Sequence, residues 1–360
     1  MLWQRAVATA TAANVPTLIW GPPGVGKTSY VECLARAMNL PLEVVIGSLR
    51  EPSDFLGLPV VTDDGVKMEP PSWAKRLATL GEGIILFDEI TTCPPSVQAA
   101  QLRVILEGQV GDLTLPTEVR RLGAANPPDQ VSGWDLSLPL ANRFFHVQAE
   151  SMPAGDWAEA LVSNTWPAVA VTLPKETAWG IAAGAVGGFL RSRPSALLNL
   201  PKDGGKGQAW ESPRSWHMAT KLLAAAATMS GGRLVADELS LVLVAGSVGD
   251  GSAREFLAWI QAADLPDPME VLKDPKLFKI HKRDDINFAT LSAVASVALQ
   301  EIKANREAEK MFQAGWAVIA RMCDAGRPDV AVPAARIMTR GYVKGMTIPK
   351  SITKLEKILG

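Results

Sequence analysis

The segment from Gly21 to Thr28, GPPGVGKT, has the residue types and spacing that most clearly predict chemistry in this chain. It fits the pattern G-x-x-x-x-G-K-[S/T], follows the apolar run TLIWG and precedes a run with helical spacing. Glycines let backbone N–H groups close around phosphate oxygens, and a following helix N-terminus adds positive potential. Lys27 is expected to reach the β and γ phosphates of a nucleotide, and the Thr28 hydroxyl to bind Mg²⁺. The predicted nucleotide-binding residues are Gly21, Pro22, Pro23, Gly24, Val25, Gly26, Lys27, Thr28 and Ser29.

An acidic pair, Asp88 and Glu89, follows the apolar run IILF. A carboxylate at a strand end can hold Mg²⁺ through water, and its neighbour can polarise an attacking water. Such a pair alone is often a surface feature. Its position downstream of the phosphate-loop pattern favours Asp88 as a metal ligand and Glu89 as the residue that activates water.

Three further polar residues are candidates for catalysis, each with a simpler structural alternative. Asn126 ends the run RRLGAAN and could orient water near a γ-phosphate, or it could only form a turn before proline. Arg143 could stabilise phosphoryl transfer from a neighbouring subunit, or it could form a surface ion pair. Arg214 follows Ser212 and Pro213, which predict a helix cap and first turn, so it could be no more than part of a capped helix start.

Alternating strand-like and helix-like runs in the first third predict an α/β fold with a parallel sheet. Five short strands are expected, at TLIWG, LEVVIG, GIILFDE, VRRLGAAN and RFFHVQAE. From about Asp156 the pattern changes to helices separated by Gly and Pro. Two linkers are expected, a Gly-rich one at 200–213 and a Pro- and Asp-rich one at 262–278.

The composition excludes several classes of protein. The 360 residues carry 36 basic and 37 acidic side chains, a balance that argues against a general nucleic-acid coat or a membrane-surface protein. The region 273–360 nevertheless carries 16 basic and 9 acidic residues, which indicates a different surface there. Three separated cysteines, no signal-peptide pattern and no apolar run of about 20 residues favour a cytoplasmic protein without a membrane span.

Taken in order, these segments resemble an AAA+ ATPase, and more narrowly the MoxR group, whose relatives include activators of nitric-oxide reductase and RuBisCO and the magnesium-chelatase motor subunit. WGPPGVGKTS resembles Walker A, and IILFDEITTCPPSVQAAQLRVILEGQV resembles Walker B followed by a helix and a hairpin. LGAANPP resembles sensor 1, LPLANRFF the arginine-finger segment and SPRSW sensor 2. EPSDFLG is similar to the segment that leads into the family's helix-two insertion.

The resemblance implies a P-loop NTPase αβα sandwich that binds ATP and Mg²⁺ between the subunits of a homo-oligomeric ring, usually a hexamer. Asn126 would be sensor 1, Arg143 the finger that reaches the next subunit, and Arg214 sensor 2, in cis or in trans. Arg120 and Arg121 are further interface candidates. The implied organisation is a nucleotide-binding core at 1–152, a helical lid at 153–272 and a basic helical extension at 273–360.

The resemblance also implies that two hairpins, at about 58–71 and 108–116, face a substrate; they could equally be inert. The first hypothesis is an ATP-hydrolysing motor that remodels or activates a protein, in this family often a von Willebrand factor A domain protein. The second is a nucleic-acid motor such as a helicase or clamp loader, which the near-neutral charge and the single basic residue of the hairpins, Lys67, disfavour. The third is a nucleotide-gated scaffold with little turnover, against which Glu89 and Arg143 argue.

Overall fold

The computed structural model describes residues 1–127, 134–201 and 208–349. The chain divides into two compact units. The first comprises 1–172, 200–218 and 242–249, and the second comprises 173–199, 219–241 and 250–360. The predicted three-part organisation stays a prediction. The predicted Gly-rich linker falls partly on 202–207, which lie outside the described residues. Pro128 and the basic side chains from Lys350 onward also lie outside the described residues.

The described part of the chain contains nine strands: β1 Thr17–Trp20, β2 Leu42–Ile46, β3 Leu58–Thr62, β4 Gly65–Glu69, β5 Gly83–Asp88, β6 Gln109–Val110, β7 Leu113–Thr114, β8 Val119–Ala125 and β9 Phe145–Gln148. Five of them form one parallel sheet in the order β2-β5-β8-β1-β9. These are the five strands predicted from the sequence.

The helices are α1 Leu2–Ala12, α2 Lys27–Ala37, α3 Ser53–Leu56, α4 Ser72–Leu80, α5 Pro95–Glu107, α6 Leu138–Ala141, α7 Ala154–Ser163, α8 Glu176–Ser192, α9 Pro213–Met229, α10 Glu238–Val248, α11 Asp250–Ala263, α12 Pro268–Lys273, α13 Asp284–Lys303, α14 Ala308–Asp324 and α15 Pro328–Thr339. Helix α12 lies within the stretch expected to be a linker. Its cap is Asp267, whose carboxylate accepts from the N–H groups of Met269 and Glu270.

The central strands are apolar because the sheet is covered on both faces. Strand β1 is buried along its whole length, and β5 is buried up to Phe87. Phe55, Phe87 and Phe144 are fully buried in the same core. The sheet therefore holds the ends of β1, β5 and β8, after which the candidate residues follow, in fixed register.

Two hairpins are inserted between the elements of the core, as the sequence predicts. Strands β3 and β4 pair around the turn at Asp63 and Asp64, and β6 pairs with β7 directly after helix α5. The hairpins are joined to each other: Met68 N–H donates to the Asp112 carboxylate at 2.8 Å, and Asp112 N–H donates to the Met68 carbonyl at 3.0 Å. Gly111, at φ +60°, approaches so closely that a Cβ there would lie 2.3 Å from the Met68 carbonyl oxygen.

The second unit has its own helical core. Helices α13, α14 and α15 bury large side chains, among them Phe312 and Trp316. Glycines on α8 permit close packing against α13: a Cβ at Gly184 would lie 2.7 Å from the Ala289 carbonyl oxygen. Burial of this apolar surface provides the main stabilisation of the unit.

Candidate nucleotide-binding and hydrolysis site

The loop between β1 and α2 has the backbone conformation that its glycines permit. Gly24 lies at φ +80° and Gly26, the N-cap of α2, at φ +94°, in the left-handed region that favours glycine. A Cβ at Gly21 would lie 2.9 Å from the Ala149 carbonyl oxygen. The residues Pro22, Pro23 and Val25 complete the loop, and Ser29 lies in the first turn of α2. The geometry thus directs N–H groups and the positive end of a helix toward one point.

Lys27 lies at the centre of this loop and is nearly buried. Its ammonium group donates to the Gly21 carbonyl at 2.7 Å, the Pro22 carbonyl at 3.1 Å and the Asn126 Oδ1 at 3.0 Å. Burial lowers the pKa of Lys27, and the charge of Asp88 opposes that shift. The three oxygen acceptors hold the ammonium beside the loop, where a phosphate oxygen could replace one of them.

Thr28 and Asp88 form the candidate magnesium site. The Thr28 hydroxyl donates to Asp88 Oδ2 at 2.7 Å, and Asp88 Oδ1 accepts from the Glu89 N–H at 2.9 Å. A hydroxyl and a carboxylate are hard oxygen ligands, which suit Mg²⁺. Among the described residues no group of three or more acidic, histidine or cysteine side chains could hold a metal ion by itself. These two side chains therefore fit a cation that takes its remaining ligands from phosphate and water.

Glu89 follows β5 with a left-handed backbone, at φ +58°, which turns its side chain away from the line of the strand. Its carboxylate accepts a hydrogen bond from the hydroxyl of Ser48, which lies just beyond the end of β2. Strands β2 and β5 are neighbours, with Ile46 opposite Asp88, so the sheet brings Ser48 to Glu89. No sequence pattern indicates Ser48, because a serine after a strand has no distinctive spacing.

Asn126 lies at the end of β8, next to β5 in the sheet. Its Oδ1 accepts from Lys27, and its backbone carbonyl accepts from the Thr91 hydroxyl at 3.4 Å. The structure thus brings together Lys27, Asp88 and Asn126, three residues predicted from separate segments.

Arg143 and Arg214 form a second group. Burial lowers the pKa of Arg143, and the positive charge of Arg214 lowers it further. The Arg143 guanidinium donates to the Pro139 carbonyl at 2.5 Å, while its buried Nε has no partner among the described residues. Arg214 is exposed in the first turn of α9. The predicted cap is present: Ser212 Oγ accepts from the Ser215 N–H at 3.1 Å.

Arg120 and Arg121 bond to backbone carbonyls of their own chain. Arg120 donates to the carbonyls of Thr11 and Glu118. Arg121 donates weakly to the Ile105 carbonyl at 3.4 Å, and burial lowers its pKa. A role for these two arginines at a subunit interface stays a prediction.

A cavity of about 690 Å³ opens beside the phosphate loop. Gly24 and Gly26 form part of its wall, and Trp3, Trp157 and Trp166 supply aromatic surface. Its size and lining suit the base and sugar of a nucleotide. Trp157 and Trp166 are about half exposed, at 48 % and 49 %, so their rings are accessible from the cavity.

Cys33, Cys93 and Cys323 form no disulfide with one another. Of the helices in 1–127, 134–201 and 208–349, none is both long and apolar enough to cross a membrane.

The family model of the AAA domain (dynein-related subfamily) matches residues 16–144. The Holliday junction branch migration complex subunit RuvB of Phytoplasma mali is 30 % identical over 156 residues, 41 % of this chain and 42 % of that protein. The human ATPase family gene 2 protein homolog B is 33 % identical over 152 residues, 39 % of this chain and 18 % of that protein. The Replication factor C large subunit of Ignicoccus hospitalis is 34 % identical over 91 residues, 25 % of this chain and 17 % of that protein.

A solved structure from Cytophaga hutchinsonii is 18 % identical and covers 72 % of this chain and 87 % of that one, with a TM-score of 0.46. The chain spans less than half the length of each of the three curated relatives. The segment 16–144 therefore matches an AAA domain, and its five-stranded parallel sheet and phosphate loop form a P-loop NTPase fold of the AAA+ type.

Proposed function

We propose that this protein is a Mg²⁺-dependent ATPase that works as a ring and uses hydrolysis to remodel or activate a partner protein, as MoxR-type proteins do. The observation that supports hydrolysis best is the convergence of Lys27, the Thr28–Asp88 pair and Asn126 at one edge of the sheet, with Glu89 adjacent. A site that only bound nucleotide would not require the acid at Glu89 or the amide at Asn126.

Each side chain has a separate task in the proposed reaction. The loop N–H groups and Lys27 bind the phosphates, and Thr28 and Asp88 hold the cation. When bound, Mg²⁺ neutralises the charge that develops on the phosphate oxygens. Glu89 accepts a proton from the attacking water, which requires that its carboxylate leave the Ser48 hydroxyl and turn toward that water. Asn126 orients the water or the γ-phosphate.

Arg143 and Arg214 are proposed to act on the nucleotide of a neighbouring subunit. Within one chain the ammonium of Lys27 bonds to Asn126, whereas the guanidinium of Arg143 bonds to the Pro139 carbonyl. These different contacts support two half-sites, one that binds ATP and one that presents arginines. A ring of identical subunits would bring the two halves together at every interface.

The surface of the hairpin β3–β4 supports the proposal that the partner is a polypeptide. Its outer surface is apolar, with Leu58, Val61 and Val66 exposed by 61 %, 84 % and 65 %. Residues 58–69 hold one basic side chain, Lys67, and three acidic ones, Asp63, Asp64 and Glu69. A surface that tracks nucleic acid needs several phosphate-neutralising side chains, which this hairpin lacks. An apolar, weakly acidic surface suits an apolar polypeptide segment. The resemblance to MoxR proteins adds a von Willebrand factor A domain protein as a candidate partner.

The alternative is a nucleic-acid motor, because two of the relatives are a branch-migration subunit and a replication-factor subunit by name. The deciding experiment measures phosphate release with β-casein, with a 30-base-pair DNA duplex, or with neither, at about 50 and 200 mM salt. Stimulation by casein that is lost in Val61→Asp and kept in Val343→Asp, another exposed valine, would support the polypeptide. Stimulation by DNA that falls steeply with salt would instead support the nucleic-acid motor.

The hydrolysis itself is tested by particle mass and phosphate release in the same samples, with and without ATP and Mg²⁺. A nucleotide-dependent ring with turnover is the expected result. Binding without turnover, even with casein or DNA present, would favour the nucleotide-gated scaffold.

A further inference from the structure

A buried cluster of hydrogen bonds connects the residue before Arg143 with the start of the helix that carries Arg214. Asn142 is its centre and is only 4 % exposed. The Asn142 Nδ2 donates to the Trp210 carbonyl at 3.2 Å, and its Oδ1 accepts from the Ser212 hydroxyl at 2.8 Å. A carbonyl can only accept a hydrogen bond, so the amide nitrogen of Asn142 must face the Trp210 carbonyl. The amide oxygen then faces Ser212.

The cluster continues into the first turn of α9. Ser215 Oγ donates to the Trp210 carbonyl at 2.8 Å, and it accepts from the Ser212 N–H, also at 2.8 Å. Ser212 and Ser215 are both buried. A buried network whose members are all bonded holds one arrangement, since leaving any member unpaired costs free energy.

The other side of Asn142 is anchored to the sheet. His146 on β9 donates from Nε2 to the carbonyl of Ala141, the residue before Asn142. The chain at this point is therefore fixed by the sheet on one side and by the α9 turn on the other.

We propose that Asn142 is a positioning residue that holds Arg143 and Arg214 together as one unit, so that both guanidinium groups meet the same phosphate of the neighbouring subunit's ATP. Arg143 directly follows Asn142, and Arg214 lies two residues after its partner Ser212. The two positive charges repel each other, so bonds elsewhere must hold them side by side. The inference rests on the proposed ATPase function.

The test is a double-mutant cycle in kcat and KM for ATP between Asn142→Ala and Arg214→Ala. In the wild-type background we expect Arg214→Ala to lower kcat by at least about tenfold. We expect Asn142→Ala to lower kcat by about tenfold and to change KM by less than about threefold. In the Asn142→Ala background, Arg214→Ala should lower kcat by less than about threefold, because Arg214 is already misplaced. Asn142→Asp keeps only the acceptor for the Ser212 hydroxyl. Its kcat should lie between those of the wild type and Asn142→Ala.

The matched control is Asn287→Ala, which removes a buried asparagine that bonds the backbone N–H and carbonyl of His281. In that background Arg214→Ala should keep its full effect. If Asn142→Ala does not fold, Ser212→Ala replaces it in the cycle. Fully additive effects would overturn the role of Asn142 while the ATPase function stands. A wild type with no turnover would overturn the ATPase function, and this inference with it.

Discussion

The guanidinium groups of Arg143 and Arg214 lie close enough within one chain for the charge of one to act on the other. Burial is the larger cause of the lowered pKa of Arg143, and Arg214 is the second. Two neighbouring cations favour an anion, and the Nε of Arg143 has no hydrogen-bond partner in the described part of the chain. The nucleotide of a neighbouring subunit would supply that anion, and this expectation leads to the first prediction.

Mixing two inactive variants should restore activity. Arg143→Ala retains a complete phosphate loop, whereas Lys27→Ala retains the arginine. In an equal random mixture about a quarter of the head-to-tail interfaces would combine an intact loop with an intact arginine. Phosphate release should therefore recover to roughly that fraction of the wild-type rate. The control replaces Lys27→Ala with the double variant Lys27→Ala/Arg143→Ala and should give no recovery. No recovery in the first mixture would mean that Arg143 does not act between subunits.

Lys27→Ala alone should weaken ATP binding by about 100-fold or more, because it removes the only side-chain ammonium that the described structure places at the loop. Titration calorimetry with ATP and Mg²⁺ measures the change. Lys75→Ala removes an exposed lysine paired with Glu69 and should bind ATP as the wild type does. Tight binding by Lys27→Ala would refute the loop assignment.

Glu89→Gln should bind ATP normally and release phosphate about 10² to 10⁴ times more slowly, since the amide cannot accept the proton from water. Because ATP persists, the variant should also accumulate as the assembled ring. Quenched-flow phosphate assays and mass photometry measure the two effects. A rate within threefold of the wild type would assign proton acceptance to another group.

Ser48→Ala should raise the basal rate of hydrolysis by about three- to tenfold. The Ser48 hydroxyl donates to the Glu89 carboxylate, and this hydrogen bond must break before the carboxylate can turn toward the attacking water. Ser48→Thr keeps the hydroxyl and serves as the control. A lower rate in Ser48→Ala would show instead that Ser48 holds Glu89 in the productive position.

Stability should fall between about pH 6.5 and pH 4 because of His146. Trp20 Nε1 donates to Nδ1 of this buried ring, so the proton lies on Nε2. Burial lowers the pKa of His146 from 6.5 to about 4. In that window the unfolded chain takes up a proton and the folded chain does not, which costs up to about 3 kcal/mol. Above pH 6.5 both states are neutral and the full stability is present.

Urea unfolding at pH 7 and pH 5 measures this effect. In His146→Gln the difference between the two pH values should shrink, whereas in His281→Gln, at a histidine exposed to solvent, it should persist. An unchanged difference in His146→Gln would assign the pH dependence to other groups.

Local sequence pattern was enough to predict the sheet and the phosphate loop. Strands β1 and β5 are apolar runs that end at Gly21 and at the acidic pair, and the turn at Asp63 and Asp64 marks the first hairpin. Each of these features is encoded by neighbouring residues, so spacing alone reveals it.

Contacts between distant segments could not be predicted in this way. Ser48 meets Glu89 only because β2 and β5 are neighbours, and Asn142 meets Ser212 across 70 residues. The aromatic cavity likewise combines Trp3 with Trp157. Helix α12 was missed although Asp267 and Pro268 are a cap and a first-turn signal, because the prolines around it favoured a linker.

Because the two hairpins are bonded to each other, a movement of one would be transmitted to the other. Helix α5, with 13 residues and a length of about 20 Å, ends where the second hairpin begins, and that hairpin is bonded to the first through Met68 and Asp112. A displacement that starts beside Glu89 would pass along α5 to the second hairpin. It would then reach the exposed valines of β3 and β4, because no hinge separates the two hairpins. Gly111→Ala, which places a Cβ against the Met68 carbonyl, would break this linkage. Under the proposed function, this variant should keep its basal phosphate release and lose its stimulation by a polypeptide.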